Sequence, residues 1–214
     1  FKFSVNCCPN SISDILQIKA VENIVLPISD DNKGCFIFKY IDEMIDKMSN
    51  LDAIAIGCGL GRNEENAKIL EIIVKNFKKP IVIDADAIFF LRNIKAEILI
   101  RNNIVITPHE VEFSRFSSYD LKNIKENRLE VVNKFFEKNL KYTLVLKGKN
   151  TIVKSDKEIY INDTGNSGMA TAGSGDCLTG IILSLLGQGL NAFNSAKLGV
   201  FTHGLAGDFA KEEL

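Results

Sequence analysis

Residues 162–176 read Asn-Asp-Thr-Gly-Asn-Ser-Gly-Met-Ala-Thr-Ala-Gly-Ser-Gly-Asp and run directly into an apolar segment at 177–186. The pattern predicts that this segment is a helix that begins at the Gly-Ser-Gly-Asp turn. The first amides of a helix have no partners within it and, together with the helix dipole, they attract anions. A capped helix start would explain Ser174 and Asp176, but not fifteen residues of this composition. We therefore interpret the stretch as an anion-binding site in which Asp176 takes a proton from a substrate hydroxyl.

Outside this stretch, strand-like apolar runs alternate with segments of helical period. The predicted strands cover 52–56, 81–84, 104–106 and 143–146, a hairpin covers 151–153 and 158–161, and the predicted helices cover 63–79, 120–140, 177–186 and 191–214. The alternation predicts an α/β fold with a mainly parallel sheet, helices on both faces and a small antiparallel edge. No linker, internal repeat or low-complexity block interrupts the pattern, so one domain is the simplest organisation.

Composition excludes several classes of protein. Lys and Arg number 26, Asp and Glu number 27, and the net charge is −1, which lacks the basic patch of proteins that bind nucleic acid or anionic membranes. No apolar run approaches the roughly 20 residues of a membrane-spanning helix, so we expect neither nucleic acid nor a membrane as partner. The five cysteines include no C-x-x-C pair, which favours a reducing compartment. We expect the cytoplasm, with the mitochondrion as the alternative for a eukaryotic source.

Parallel sheets bind ligands at the carboxyl ends of their strands, and two such ends carry glycine or carboxylates. Residues 57–61, Gly-Cys-Gly-Leu-Gly, follow the first predicted strand; they either form a tight turn or admit a bulky ligand. They lack the G-x-G-x-x-G spacing of a dinucleotide-binding turn. Asp84 and Asp86 follow the second strand. Carboxylates at such a position have three alternative roles: to hold a metal, to orient a ligand or to cap the next helix. We favour the cap for Asp86.

The next two strand ends carry a histidine and a lysine. His109 and Glu112 follow the third strand; a lone histidine is more often structural than functional, and Glu112 is placed to pair with it, cap a helix or face a cation. Residues 147–151, Lys-Gly-Lys-Asn-Thr, follow the fourth strand. A lysine in a flexible turn suits a phosphate-bearing ligand, although a solvated hairpin has the same composition.

Six ordered blocks of the chain resemble those of the ADP/ATP-dependent NAD(P)H-hydrate dehydratases. Residues 162–180 match N-P-T-G-N-P-G-M-A-T-G-G-S-G-D-V-L-T-G apart from Asp163, Ser167, Ala172 and Cys177. Residues 57–61 match G-P-G-L-G with Cys58 for Pro, and Asp84–Ala87 match the start of D-A-D-A-L-N, with Phe89 where Asn is usual. Thr107, Pro108, His109 and Glu112 match T-P-H-P-G-E, with Val111 for Gly. Residues 146–151 match L-K-G-x-x-T, and 203–208 match H-G-L-A-G-D without change. Because valine disfavours positive φ, the turn after His109 should differ or belong to the next helix.

The resemblance implies a ribokinase-like three-layer αβα sandwich and the repair of hydrated NADH and NADPH. In such enzymes the hydroxyl of the S epimer is phosphorylated by ADP or ATP, with Mg²⁺ on the nucleotide phosphates, and phosphate is then eliminated. Asp176 resembles the residue that contacts and deprotonates the hydrate, and Gly59 and His109 resemble further hydrate contacts. The adenine nucleotide is expected at Lys147, Gly148, Lys149, Asn150, Thr151, Gly173, Ser174 and Gly175. No protein residue is assigned as a metal ligand, and a homo-oligomer, commonly a tetramer, is implied.

Two alternatives stay open at this point. A hydroxyethylthiazole or hydroxymethylpyrimidine kinase would share the Gly-Ser-Gly-Asp turn, and a non-catalytic nucleotide-binding module would share the fold. We interpret His203, between small residues, as structural and packed against another helix. The chain begins Phe-Lys-Phe and not with Met, and residues 1–6 have the pattern of the middle of a strand. Residues 2–9 resemble a family strand that normally lies well inside the domain, and 211–214 stop before the family's last segment. The resemblance therefore implies that 1–214 is one ribokinase-like domain that lacks its N-terminal portion and its last C-terminal segment.

Overall fold

The computed structural model describes residues 3–213, apart from the side chain of Ala96. The strands are β1 Val5–Pro9, β2 Ile24–Ile28, β3 Ile54–Ile56, β4 Ile81–Ile83, β5 Ile104–Ile106, β6 Thr143–Leu146, β7 Ile152–Lys154 and β8 Ile159–Ile161. The α-helices are α1 Ser13–Lys19, α2 Ile41–Met48, α3 Glu64–Asn76, α4 Ala85–Phe90, α5 Glu110–Ser117, α6 Leu121–Glu126, α7 Arg128–Phe136, α8 Ser174–Gly187 and α9 Ala192–Glu213.

The main sheet has six strands in the order β3-β4-β5-β6-β7-β8. The first four strands run parallel, with Ile54 beside Ile81 and Ile81 beside Ile104, whereas β7 and β8 are antiparallel to their neighbours. This confirms the predicted α/β class and its antiparallel edge. Strands β1 and β2 form a separate parallel sheet, which the sequence pattern did not predict.

Alternating side chains of the buried strands divide the core into two layers, as expected for a pleated strand. Ile81 and Ile83 of β4 belong to a hydrophobic cluster with residues of α3, α4, α5 and α7. Val82, between them, belongs to a second cluster with residues of α8 and α9. Every residue of β4 and β5 is buried. The sheet is therefore the middle of three layers.

The turns that follow the parallel strands meet at one edge of the sheet. The Asp84 amide donates to the carbonyl of Ile56 at 3.1 Å, and the Thr107 amide donates to the carbonyl of Ile83 at 3.1 Å. The Lys147 amide donates to the carbonyl of Pro108 at 2.8 Å. The strand ends singled out in the sequence are thus neighbours in space.

Three details of the sequence interpretation were wrong. The helix predicted over 120–140 is two helices, α6 and α7, separated at Asn127, whose φ of −132° and ψ of 44° are not helical. Helices α1, α2 and α5 had been given no bounds. The first strand begins at Val5, whereas a strand was expected over 1–6, and residues 1 and 2 lie outside the described part.

Within residues 3–213, none of the helices combines the length and hydropathy that crossing a bilayer requires.

Close contact between α8 and α9 can be tested at Gly199, because an added Cβ would lie 2.7 Å from Ile182 Cγ1. We expect Gly199→Ala to lower the free energy of unfolding by ~1–2 kcal/mol, since overpacking exceeds the gain in helix propensity. Gly180→Ala in α8 is the matched control, because a Cβ there meets nothing within 4 Å. This control should raise the free energy of unfolding by about 0.5–1 kcal/mol. Urea unfolding measures both, and stabilisation by Gly199→Ala would contradict the close packing.

Candidate active site

The centre of the site is the carboxylate of Asp84, which follows β4 and is 1% exposed. Its Oδ1 accepts a hydrogen bond of 2.7 Å from Lys147 Nζ, and its Oδ2 accepts one of 2.6 Å from Thr179 Oγ1. Lys147 follows β6, and Thr179 lies in α8. A buried carboxylate is tolerated when it is paired and hydrogen-bonded. This network therefore joins two strand ends to the first part of α8.

The Lys147 ammonium lies beside the N-terminus of α8. A Cβ added to Gly175 would be 3.4 Å from Lys147 Nζ. Gly173 is the N-cap of α8 in the left-handed region, with φ of 85°, and no side chain caps the helix there. The capping role considered for Ser174 is therefore not observed. Free helix amides beside an ammonium are the elements of an anion site, and the anion-binding role of residues 173–175 stays a prediction.

Asp176 lies in the first turn of α8 and is exposed. Its carboxylate, the carboxylate of Asp84 and the Sγ of Cys58 each place one atom within 4.8 Å of the others. Three such groups are the donor types of a metal site. However, both oxygens of Asp84 are engaged, one of them by the Lys147 ammonium. Lys147 already supplies a positive charge to Asp84, so the two residues form an ion pair with Asp176 and Cys58 nearby.

The glycine turn 57–61 packs directly on the residues after β4. Gly57 has φ of 133°, and a Cβ there would lie 1.7 Å from the carbonyl oxygen of Asp84. The Asp86 carboxylate accepts hydrogen bonds from the Gly61 amide at 3.1 Å and from Arg62 Nε at 2.7 Å. Asp86 therefore fastens this turn and does not cap α4, which corrects the interpretation favoured from the sequence.

His109 is the N-cap of α5. Its Nδ1 accepts hydrogen bonds of 3.2 Å from the amides of Val111 and Glu112, and Glu112 Oε2 accepts one of 2.8 Å from the His109 amide. Val111 lies within α5, so the position needs no glycine, as expected. The ring is 52% exposed at the carboxyl edge of the sheet. Gly59, with φ of 69°, has open space around its added Cβ.

The H-G-L-A-G-D segment of α9, residues 203–208, packs against the glycine-rich loop, residues 162–173. A Cβ at Gly204 would lie 2.3 Å from Thr164 Oγ1, and one at Gly207 would lie 2.3 Å from Met169 Sδ. The Asp208 carboxylate accepts a hydrogen bond of 2.7 Å from the Gly165 amide. Gly204 and Gly207 thus pack against the glycine-rich loop.

His203, in the same segment, touches the start of α8. Its Nε2 lies 3.4 Å from Ser174 Oγ. Burial lowers the pKa of His203 below its ordinary value of 6.5, so the ring is neutral at pH 7. A neutral ring packed behind the helix start agrees with the structural role expected for this residue.

Arg128 is a site residue that sequence reasoning missed. It pairs with Glu110, and its Nη2 donates to the carbonyls of Leu146 at 3.0 Å and Lys147 at 3.4 Å. A Cβ at Gly148 would lie 2.6 Å from Arg128 Nη1. Arg128 therefore fixes the turn that carries Lys147. It stands in no motif, and a lone arginine in a helical segment gives no signal in a single sequence.

The rest of the predicted nucleotide segment lies in the same turn. Thr151 Oγ1 donates to the carbonyl of Gly148 at 2.8 Å, whereas Lys149 and Asn150 are exposed. The structure thus brings Lys147, Asp176 and Gly173–Gly175 together, with the other residues of this segment at the rim.

The fold and this edge define a ribokinase-like protein. The chain superimposes with a TM-score of 0.81 on a ribokinase-like superfamily protein of Enterococcus faecalis, at 26% identity over 98% of this chain and 70% of that one. It has the same fold as the ADP/ATP-dependent NAD(P)H-hydrate dehydratase of Bacillus subtilis, with a TM-score of 0.72 at 21% identity, over 96% of this chain and 71% of that one.

The family follows from sequence comparison. The family model described as NAD(P)H-hydrate dehydratase matches residues 2–214, and the chain belongs to that family. It is 36% identical over 208 residues to the bifunctional NAD(P)H-hydrate repair enzyme Nnr of Moorella thermoacetica, covering 96% of this chain and 39% of that enzyme. It is 40% identical over 171 residues to the ADP-dependent (S)-NAD(P)H-hydrate dehydratase of Neisseria meningitidis, covering 78% of this chain and 57% of that enzyme. The chain thus spans between two fifths and three fifths of the length of these relatives.

Docking of the glycine-rich loop predicts a pH-dependent stability. Hydrogen bonds from the Gly165 amide and Asn166 hold the pKa of Asp208 below its ordinary value. The ionised carboxylate therefore stabilises the fold above about pH 4, the ordinary value for Asp, and this contribution is lost as the pH falls through the lower folded value. We expect Asp208→Asn to unfold at lower urea concentration than the unsubstituted chain at pH 7, with the difference closing in acid.

The control for this prediction is Asp163→Asn, which removes an exposed carboxylate from the glycine-rich loop itself. Urea titrations at pH 7 and near pH 3 give the comparison. An equal loss of stability for Asp208→Asn at both values would contradict a contribution from the ionised carboxylate.

Proposed function

We propose that this protein restores NADH and NADPH from the S epimers of their hydrates, with ADP or ATP as phosphoryl donor. The observation that carries the proposal is the meeting of the Lys147 ammonium, the uncapped start of α8 and the Asp176 carboxylate at one sheet edge. A phosphoryl group needs cationic and amide donors around its oxygens, and the accepting hydroxyl needs a base. Family membership favours this reaction over a thiazole or pyrimidine kinase activity.

In the proposed reaction, Asp176 accepts the proton of the hydrate hydroxyl as its oxygen takes the phosphoryl group. Lys147 and the amides of Gly173–Gly175 stabilise the charge on the phosphate oxygens. Departure of phosphate, with loss of a proton from the neighbouring ring carbon, restores the double bond. Mg²⁺ on the nucleotide phosphates would neutralise further charge when it is bound. No described side chain is needed as its ligand, since the phosphates themselves supply oxygen donors.

The two ligands are proposed to approach from different sides of Asp176. The nucleotide would lie along Lys147–Thr151 and the start of α8, where Arg128 already fixes the backbone. The hydrate would lie toward Gly59, where open space surrounds the added Cβ, and toward the exposed ring of His109. A homo-oligomer is also part of the proposal, and light scattering measures it directly.

Enzymatic assay tests the reaction. The chain is incubated with the separated S and R epimers of NADH hydrate, Mg²⁺, and either ADP or ATP. We expect NADH absorbance to recover from the S epimer and inorganic phosphate to appear in equal amount. Parallel reactions offer hydroxyethylthiazole and hydroxymethylpyrimidine as phosphoryl acceptors. Phosphorylation of either alcohol without recovery of NADH would overturn the proposal in favour of a kinase.

Asp176→Ala separates the proposed base from nucleotide binding. Loss of general-base catalysis should lower kcat by about 10²–10⁴-fold, while the affinity for ADP changes by less than about threefold because Lys147 and the helix amides stay in place. Turnover and calorimetric titration with ADP measure the two effects. Asp163→Ala is the control for removal of an exposed carboxylate. Turnover equal to that of the unsubstituted chain would show that Asp176 is not the base.

A further inference from the structure

Cys58 brings a proton donor to a position where the resembled family pattern has proline. It stands second in the turn 57–61, directly after β3. Gly57 and Gly59 on either side of it both have positive φ. A proline side chain donates no hydrogen bond, whereas a thiol is a weak donor. The substitution therefore adds a chemical group to the edge of the site.

Two carboxylates lie near the thiol of Cys58. Its Sγ lies within 4.8 Å of a carboxylate oxygen of Asp84 and of one of Asp176. Lys147 and Thr179 already occupy the two oxygens of Asp84. Within residues 3–213, Asp176 takes part in no salt bridge, while Asp84 is paired with Lys147. Of the two carboxylates near the thiol, Asp176 is therefore the one without a paired cation.

We propose that Cys58 is a positioning residue for Asp176, whose carboxylate it orients by donating an S–H hydrogen bond. An oriented carboxylate presents one fixed oxygen to the hydroxyl that it deprotonates. Its kinetic consequence rests on the function proposed above, but the contact between thiol and carboxylate does not, so the two can be tested separately.

The ionisation of the thiol agrees with a donor role. The pKa of Cys58 is raised from 9.0 to about 12, first by burial and then by the neighbouring carboxylates of Asp176 and Asp84. The positive charge of Lys147 lowers the pKa of the thiol but does not offset these effects. The group is thus protonated at neutral pH and acts as a donor rather than as a nucleophile.

Alkylation of the resting protein tests the contact without any turnover. The chain is treated with iodoacetamide near pH 9, around the ordinary range of a thiol, and the rate at each cysteine is read by peptide mass spectrometry. Asp176→Asn removes the acceptor charge, so the pKa of Cys58 should fall. Each unit of fall should speed alkylation of Cys58 by about threefold, because a lower nucleophilicity partly offsets the larger thiolate fraction.

Two controls belong to this experiment. Cys35, in the segment between β2 and α2, should react at the same rate in both proteins. Asp163→Asn should leave the rate at Cys58 unchanged. An unchanged rate at Cys58 in Asp176→Asn, with native circular dichroism, would overturn the proposed contact.

Kinetics test the positioning role. Cys58→Ala should lower kcat by about 2–10-fold, the range that one ordinary hydrogen bond spans, with the KM for ADP unchanged. Cys58→Ser should recover most of the loss because its hydroxyl also donates, and Cys35→Ala is the matched control. A kcat for Cys58→Ala equal to that of the unsubstituted chain would overturn the role. If no protein turns over the hydrate, the proposed function fails, whereas the alkylation result still decides the contact.

Discussion

The ion pair between Asp84 and Lys147 is the interaction on which the arrangement of the site depends. A carboxylate that is 1% exposed must keep its partners, because the cost of a buried unpaired charge is several kcal/mol. Lys147 is therefore held at 2.7 Å, and Thr179 holds α8 against the same group at 2.6 Å. The ammonium, the helix start and the strand end are fixed relative to one another before any ligand arrives. Such preorganised charge requires little rearrangement during reaction.

Much of the sheet could be predicted because its central strands are short apolar runs, and β4 and β5 consist of isoleucine and valine alone. Strands β4 and β5 are buried on both faces, and a parallel sheet between helix layers requires that composition. The separation of α6 from α7 could not be predicted in this way. The apolar period continues through 120–140, while the helix is interrupted at Asn127 by its non-helical backbone angles. Periodicity reports which face is buried and not whether the backbone is continuous.

The same difference between local and distant information explains which residues of the candidate site could be predicted from the sequence. Lys147 and Asp176 could be found because each belongs to a local pattern at a strand end or a helix start. The roles of Asp86 and Arg128 could not, since their partners are 24 and 18 residues away along the chain. Asp86 also satisfies the local rule for a helix start, and the fold uses it to fasten a turn. Local sequence rules identify the candidate reactive side chains, such as Lys147 and Asp176. The side chains that position their turns, such as Asp86 and Arg128, are known only from tertiary contacts.

The contact between α9 and the glycine-rich loop limits how this chain can diverge. At Gly204 and Gly207 even a methyl group would overlap the loop, with nearest approaches of 2.3 Å. Mutational drift in the C-terminal half of α9 is consequently confined to its outward face, where Phe209 is 57% exposed. The helix can acquire a new surface and new associations there, while Gly204 has no room for a side chain against the backbone of Thr164.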